Sequence, residues 1–173
     1  MSVLFLVFSK YLLIFAFEKI YVIMEEKGTR DLFLETLTKI GCQYELPQEE
    51  GDERIFFAFQ GEHFMANAKN ELRFIQIWDT HWARVELYDI DDFARLKKVI
   101  NAANLNNSVI TVYTINEAAK SVDVHCKSTI LFVPTIPEIE EYLKLELSEF
   151  FRAHQFVNIE MEKLREQEEP RKN

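Results

Sequence analysis

Glycine and proline are scarce in this sequence, at 4 residues each out of 173. That scarcity excludes long flexible linkers and low-complexity tracts, which are rich in both. It also excludes a glycine-rich phosphate loop, because Gly28, Gly41, Gly51 and Gly61 stand far apart. Cysteine is nearly missing. Cys42 and Cys126 have no cysteine near them at metal-ligand spacing, so two free thiols in a reducing, cytoplasmic setting are expected. Positive charge is in deficit, with 20 Lys and Arg against 29 Asp and Glu and a net charge of −9. Nucleic acids and anionic membrane surfaces, which recruit proteins through excess Lys and Arg, are therefore not expected as partners.

What is present is an ordinary globular composition, 48% hydrophobic and 28% charged, with 15 phenylalanines. That many aromatics can build one compact core without metal or disulfide support. The acids mostly alternate with bases, as in "EEKGTRD" and "IEMEKLREQEEPRK", which is the pattern of solvated helix faces.

The hydrophobic period then sets the order of elements. "TRDLFLETLTKIG" reads as a helix capped by Thr29 and stopped by Gly41, with Phe33, Leu37 and Ile40 on one face. From "RIFFAFQ" onward the period falls to two. Ile55, Phe57 and Phe59 point one way, Gly61 turns the chain, and Phe64, Ala66 and Ala68 share a face. "NELRFIQIWD" and "HWARVELYD" continue what reads as an antiparallel meander, and "CQYEL" as a short edge strand. A second helix starts near Asp91 and lines up Phe93, Leu96, Ile100 and Ala103. "SVITVYTIN" and "SVDVHCKSTILF" form a hairpin around "NEAAK", with Val122, Val124, Cys126, Ser128, Ile130 and Phe132 on one face. A long helix from about Pro137 repeats Ile139, Leu143, Leu147, Phe150, His154, Val157, Met161 and Leu164 at spacings of three and four. The expected class is α+β: an antiparallel sheet with helices on one face, in the order α, β meander, α, β, β, α.

The segments "FFAFQGEHFMANA", "LKKVINAANLNN" with Asn101 and Asn104, and "IEEYLKLELSEFFRAHQFVNIEMEKL" together resemble the YbjN family, or bacterial sensory transduction regulators. The fold of that family is similar to that of type III secretion chaperones. The resemblance spans about Gly28 to Leu164. It implies a small cytoplasmic protein-interaction module, often dimeric, with no catalytic residues, and it carries no site motif to transfer.

Candidate chemistry is sparse. His63, His81, His125 and His154 are far apart and match no metal motif, so no metal or cofactor is expected. Cys126 reads as inward and flanked by Val124 and Ser128, hence as a small core residue rather than a nucleophile. Asp89, Asp91 and Asp92 suit a helix start. No catalytic residue is assigned. Two interaction surfaces are expected. One is the stretch "IWDTHWAR", where Trp78, His81 and Trp82 cluster about a presumed turn; the alternative is a small-molecule or small-enzyme pocket there, with Asp79. The other is the long-helix stripe Phe150, Phe151, His154, Val157 and Met161, which is expected to exceed what one sheet covers and so to offer a face to a protein partner or a second copy.

The opening stretch "MSVLFLVFSKYLLIFAFEKIYVIM" is a poor membrane span, because Lys10 splits it and Glu18 and Lys19 follow. It lacks the basic start and cleavage motif of a signal peptide. As a core helix it has no polar face. The expected organisation is an extension over 1–23 that is no part of the domain (a mis-assigned start before Met24, or an anchor), one domain over 24–167, and a charged tail over 168–173.

Overall fold

The computed structural model describes residues 27–168 except 50 and 81. The 1–23 extension, His81 and the tail beyond Glu168 lie outside the described residues.

Helix α1 (Thr29–Lys39) leads into strands β1 (Tyr44–Glu45), β2 (Arg54–Phe59), β3 (Glu62–Asn67), β4 (Phe74–Asp79) and β5 (Ala83–Glu86). Helix α2 (Ile90–Asn106), strands β6 (Ile110–Asn116) and β7 (Ser121–Leu131), and helix α3 (Ile139–Glu168) follow. The seven strands form one sheet, and each described pairing is antiparallel. The class is α+β, as the periodicity predicts.

The sheet is not a simple meander. β1 to β4 follow one another, but β4 next pairs with β7, the longest strand. β5 does not fold back on β4. It continues along the same edge of β7, with Trp78 opposite Lys127 and Ala83 opposite Val124. Between these two pairs the β4–β5 side has four residues in sequence and β7 has two, a mismatch that makes a bulge. β6 takes the other edge of β7, from Ile110 opposite Lys127 to Asn116 opposite Ser121. The presumed turn around "IWDTHWAR" is therefore a bulge within one continuous sheet edge. Bulges of this kind bend a strand and re-aim its side chains.

All three helices pack on one sheet face. α1 and the first half of α3 close over Ile55, Phe57, Phe64, Ile75, Ile77, Ile130 and Phe132. α2 and the second half of α3 close over Val122 and Val124. α3 runs across both clusters, because 30 residues at about 1.5 Å each reach roughly 45 Å. Its far end does not overhang: Arg165 bonds Asp92 of α2, and Arg95 of α2 bonds Glu168.

This packing corrects the surface expected from the long helix. Phe150, His154, Val157 and Met161 are buried in the chain's own core, and Phe151 is half-buried against Phe59 and Phe64. The stripe is not surplus, because α3 packs along its length over both clusters, beside α1 in the first and α2 in the second. Helix starts also shift. The α2 cap is Asp89, whose carboxylate accepts from the Asp92 N–H, not Asp91. Glu138 takes a left-handed φ of 48°, so α3 starts only at Ile139, two residues after Pro137. Thr29 does not cap α1. Its hydroxyl donates to the Phe132 carbonyl, and Asn70 accepts from the Asp31 N–H in its place. Gly28 is needed there because a Cβ would collide with the Asn70 side chain.

Candidate functional site

The bulge creates a problem of hydrogen bonding. Cys126 turns its N–H toward the β4–β5 edge, where the bulge carries the neighbouring backbone away. A buried N–H without an acceptor costs about 1–3 kcal/mol. Asp79, the last residue of β4, supplies the acceptor: its Oδ1 lies 2.7 Å from the Cys126 nitrogen. The other oxygen, Oδ2, lies 2.7 Å from His154 Nε2 in the middle of α3. Asp79 is 3% exposed and His154 8%. One carboxylate thus pins the bulge and ties the long helix to the sheet.

Two further side chains close this centre. The Trp82 ring stacks on the His154 imidazole, with centroids 4.1 Å apart and planes 22° from parallel. The Thr111 hydroxyl of β6 lies 3.4 Å from Cys126 Sγ. Asp79, Cys126 and His154 each offer a ligand atom, and these atoms lie within 4.8 Å of one another.

Burial raises the Asp79 pKa above the ordinary carboxylate value, against the opposing pull of His154 and the Cys126 amide. Burial, helped by the Asp79 charge, pushes the Cys126 thiol up to about 12. At neutral pH that thiol keeps its proton, which is the wrong state for a nucleophile.

The structure separates residues the sequence places together. Trp82 points into the helix-covered side. Trp78 points to the other face of the sheet, where the Lys127 ammonium lies 5.1 Å from its ring centre. Trp78 and Trp82 therefore lie on opposite faces and do not share a surface, and His81 lies outside the described residues. A groove of about 350 Å³ lies elsewhere, beside the start of α1, lined in part by Lys27, Gly28, Asn70 and Arg73.

The sheet face opposite the helices is uncovered among the described residues. A row of neighbours runs straight across five strands there: Phe56, Met65, Trp78, Lys127 and Ile110. Phe74 and Leu131 pair beside it, exposed to 55% and 42%. Sequence reading picked Trp78 from this row and missed the rest. The available signal was parity, since Phe56, Met65 and Trp78 alternate with the inward residues of their strands. No helix of the described residues is long and apolar enough to cross a membrane.

No protein-family model and no curated protein matches this chain. Among solved structures it is similar to an uncharacterized protein from Methanothermobacter thermautotrophicus, with a TM-score of 0.50 and 9% identity, over 78% of this chain and 97% of that one. At that identity the likeness concerns the fold alone.

Proposed function

We propose that this chain is a non-catalytic protein-binding module, and that the open sheet face receives an amphipathic helix of a partner protein. The observation that carries the reading is the apolar row from Phe56 to Ile110 on a face that no described helix covers. Phe56, Met65 and Trp78 are half-buried and Ile110, Phe74 and Leu131 are exposed, and apolar surface left open in this way favours association. Its length fits a helix. Five strands span about 19 Å at ~4.8 Å per step, which equals about 13 helical residues at ~1.5 Å each. Its charge narrows the partner. Lys127 lies over Trp78, so an apolar helix stripe flanked by Asp or Glu complements it. The burial of the polar centre supports a non-enzymatic role. The resemblance to YbjN proteins, as small interaction modules, points the same way.

The test is site-specific photocrosslinking in native cells, with the crosslinker at Met65 or Phe74 and a control at Ile159 on the exposed side of α3. The expected product is one partner, joined from the sheet face only, through a helix with acids beside its apolar stripe. Trp78→Glu should abolish it while leaving the melting temperature nearly unchanged. Equal labelling from the Ile159 control, or none above background, overturns the reading. Crosslinks to a second copy of this chain would replace the partner helix with a homodimer.

A further inference from the structure

We propose that Asp79, Cys126 and His154 form a binding site for one divalent transition-metal ion of the zinc type, held between β4, β7 and α3. The inference is independent of the open sheet face and stands or falls without it.

The first argument is the donor set. A carboxylate, a thiol and an imidazole from three separate elements bring their ligand atoms within 4.8 Å of one another, all buried. Sulfur with nitrogen and oxygen donors is a set that suits zinc and its neighbours, and does not suit magnesium or calcium.

The second argument is charge. An ionised carboxylate in an apolar interior needs a compensating partner. A divalent ion bound by Asp79 carboxylate, Cys126 thiolate and neutral imidazole sums to zero net charge. Binding releases the thiol proton to solvent, and the imidazole coordinates through its lone pair. Three protein ligands leave a further position for water.

The third argument concerns the surroundings of the sulfur. The Thr111 hydroxyl lies 3.4 Å from Cys126 Sγ. The Trp82 indole, stacked on His154, keeps a buried N–H with no hydrogen-bond partner among the described residues. The Thr111 hydroxyl can donate to a metal-bound thiolate, which accepts hydrogen bonds better than a neutral thiol does. The Cys126 N–H meanwhile fixes the Asp79 carboxylate, as outer partners of metal ligands do.

The test uses cobalt(II) as the probe. The full chain is unfolded under reducing conditions and refolded with one equivalent of Co²⁺. The expected result is one bound ion per chain, a thiolate-to-cobalt charge-transfer band in the near ultraviolet, and loss of that band when Zn²⁺ is added. Cys42→Ser should keep the band and Cys126→Ser should lose it. Wild-type protein that regains native circular dichroism without the band overturns the site. So does a band that survives Cys126→Ser or disappears in Cys42→Ser. Should refolding fail, native mass spectrometry of the full chain from zinc-supplemented cells decides: about one zinc per chain supports the site, and a ratio near zero overturns it.

Discussion

Asn104 holds the backbone of Thr111 from both sides: its amide nitrogen donates to the Thr111 carbonyl at 3.1 Å, and its oxygen accepts from the Thr111 N–H at 2.7 Å. The end of α2 thus acts as a neighbouring strand for the start of β6. β6 is an edge strand with the uncharged sequence "ITVYTIN", and a bare edge of that kind invites pairing with another chain. Blocking its first residues shortens the edge available.

Asn104→Ala should therefore act twice. Loss of two hydrogen bonds should cost about 1–2 kcal/mol in urea denaturation. The freed edge should also raise self-association, read by light scattering. Asn104→Asp keeps only the acceptor and should fall between. A variant as stable and as monodisperse as the parent would remove the edge-guarding role.

The Asp79 centre gives a sharper contrast. Asp79→Ala leaves both the Cys126 N–H and His154 without their acceptor, so a loss of about 3–5 kcal/mol is expected. Asp79→Asn keeps an acceptor oxygen for the Cys126 N–H and should lose less. Both are to be measured by chemical denaturation in the presence of a chelator. Equal losses for Ala and Asn would show that charge and not hydrogen bonding holds the bulge.

Much of the fold was legible, because periodicity reports burial. Phe57, Phe64, Ile130 and Leu147 all lie inward as their spacing predicts. The polar centre was half legible. Asp79 follows Ile75 and Ile77 at the inward parity of β4, Cys126 is inward on β7, and His154 lies on the apolar stripe of α3. Each is a polar group at a core position. Their convergence was not legible, because it depends on β5 joining β7 and not β4, and a two-residue mismatch in register leaves no mark in composition. The covering of the α3 stripe is not legible either, because spacing alone does not show that α2 packs beside the second half of α3 over Val122 and Val124.

Phe150 tests the corrected role of the α3 stripe. It is fully buried and meets Phe64 edge to face, with centroids 5.3 Å apart. Phe150→Ala should cost about 3–5 kcal/mol as transfer and cavity terms add. Phe74→Ala, at an exposed site on the open face, should cost less than ~1 kcal/mol. Thermal melts of the two variants side by side check this, and a mild Phe150→Ala would return the stripe to the surface.

The clamp between α2 and α3 makes stability depend on acid pH. Asp92 accepts from Arg165 at 2.5 Å and from Arg95 at 2.7 Å, and the Arg165 bond, followed by the Arg95 bond, holds its carboxyl below the usual range. A pKa lowered by folding means that the ionised form stabilises the native state. The contribution is complete above the unfolded value of about 3.9, and it is lost as the pH falls through the folded value. Asp92→Asn should therefore be less stable than the parent by about 0.5–1.5 kcal/mol between pH 5 and 7, a modest figure because Arg165 is half exposed to solvent. The two curves of unfolding free energy against pH should draw together as the pH falls below the unfolded value and through the lowered folded value, where the parent's carboxyl protonates as well. Salt should narrow the gap at neutral pH by screening the exposed half of the network. A gap that stays constant down to pH 2 would mean that Asp92 acts through its shape and its packing against Arg95, and not through its charge.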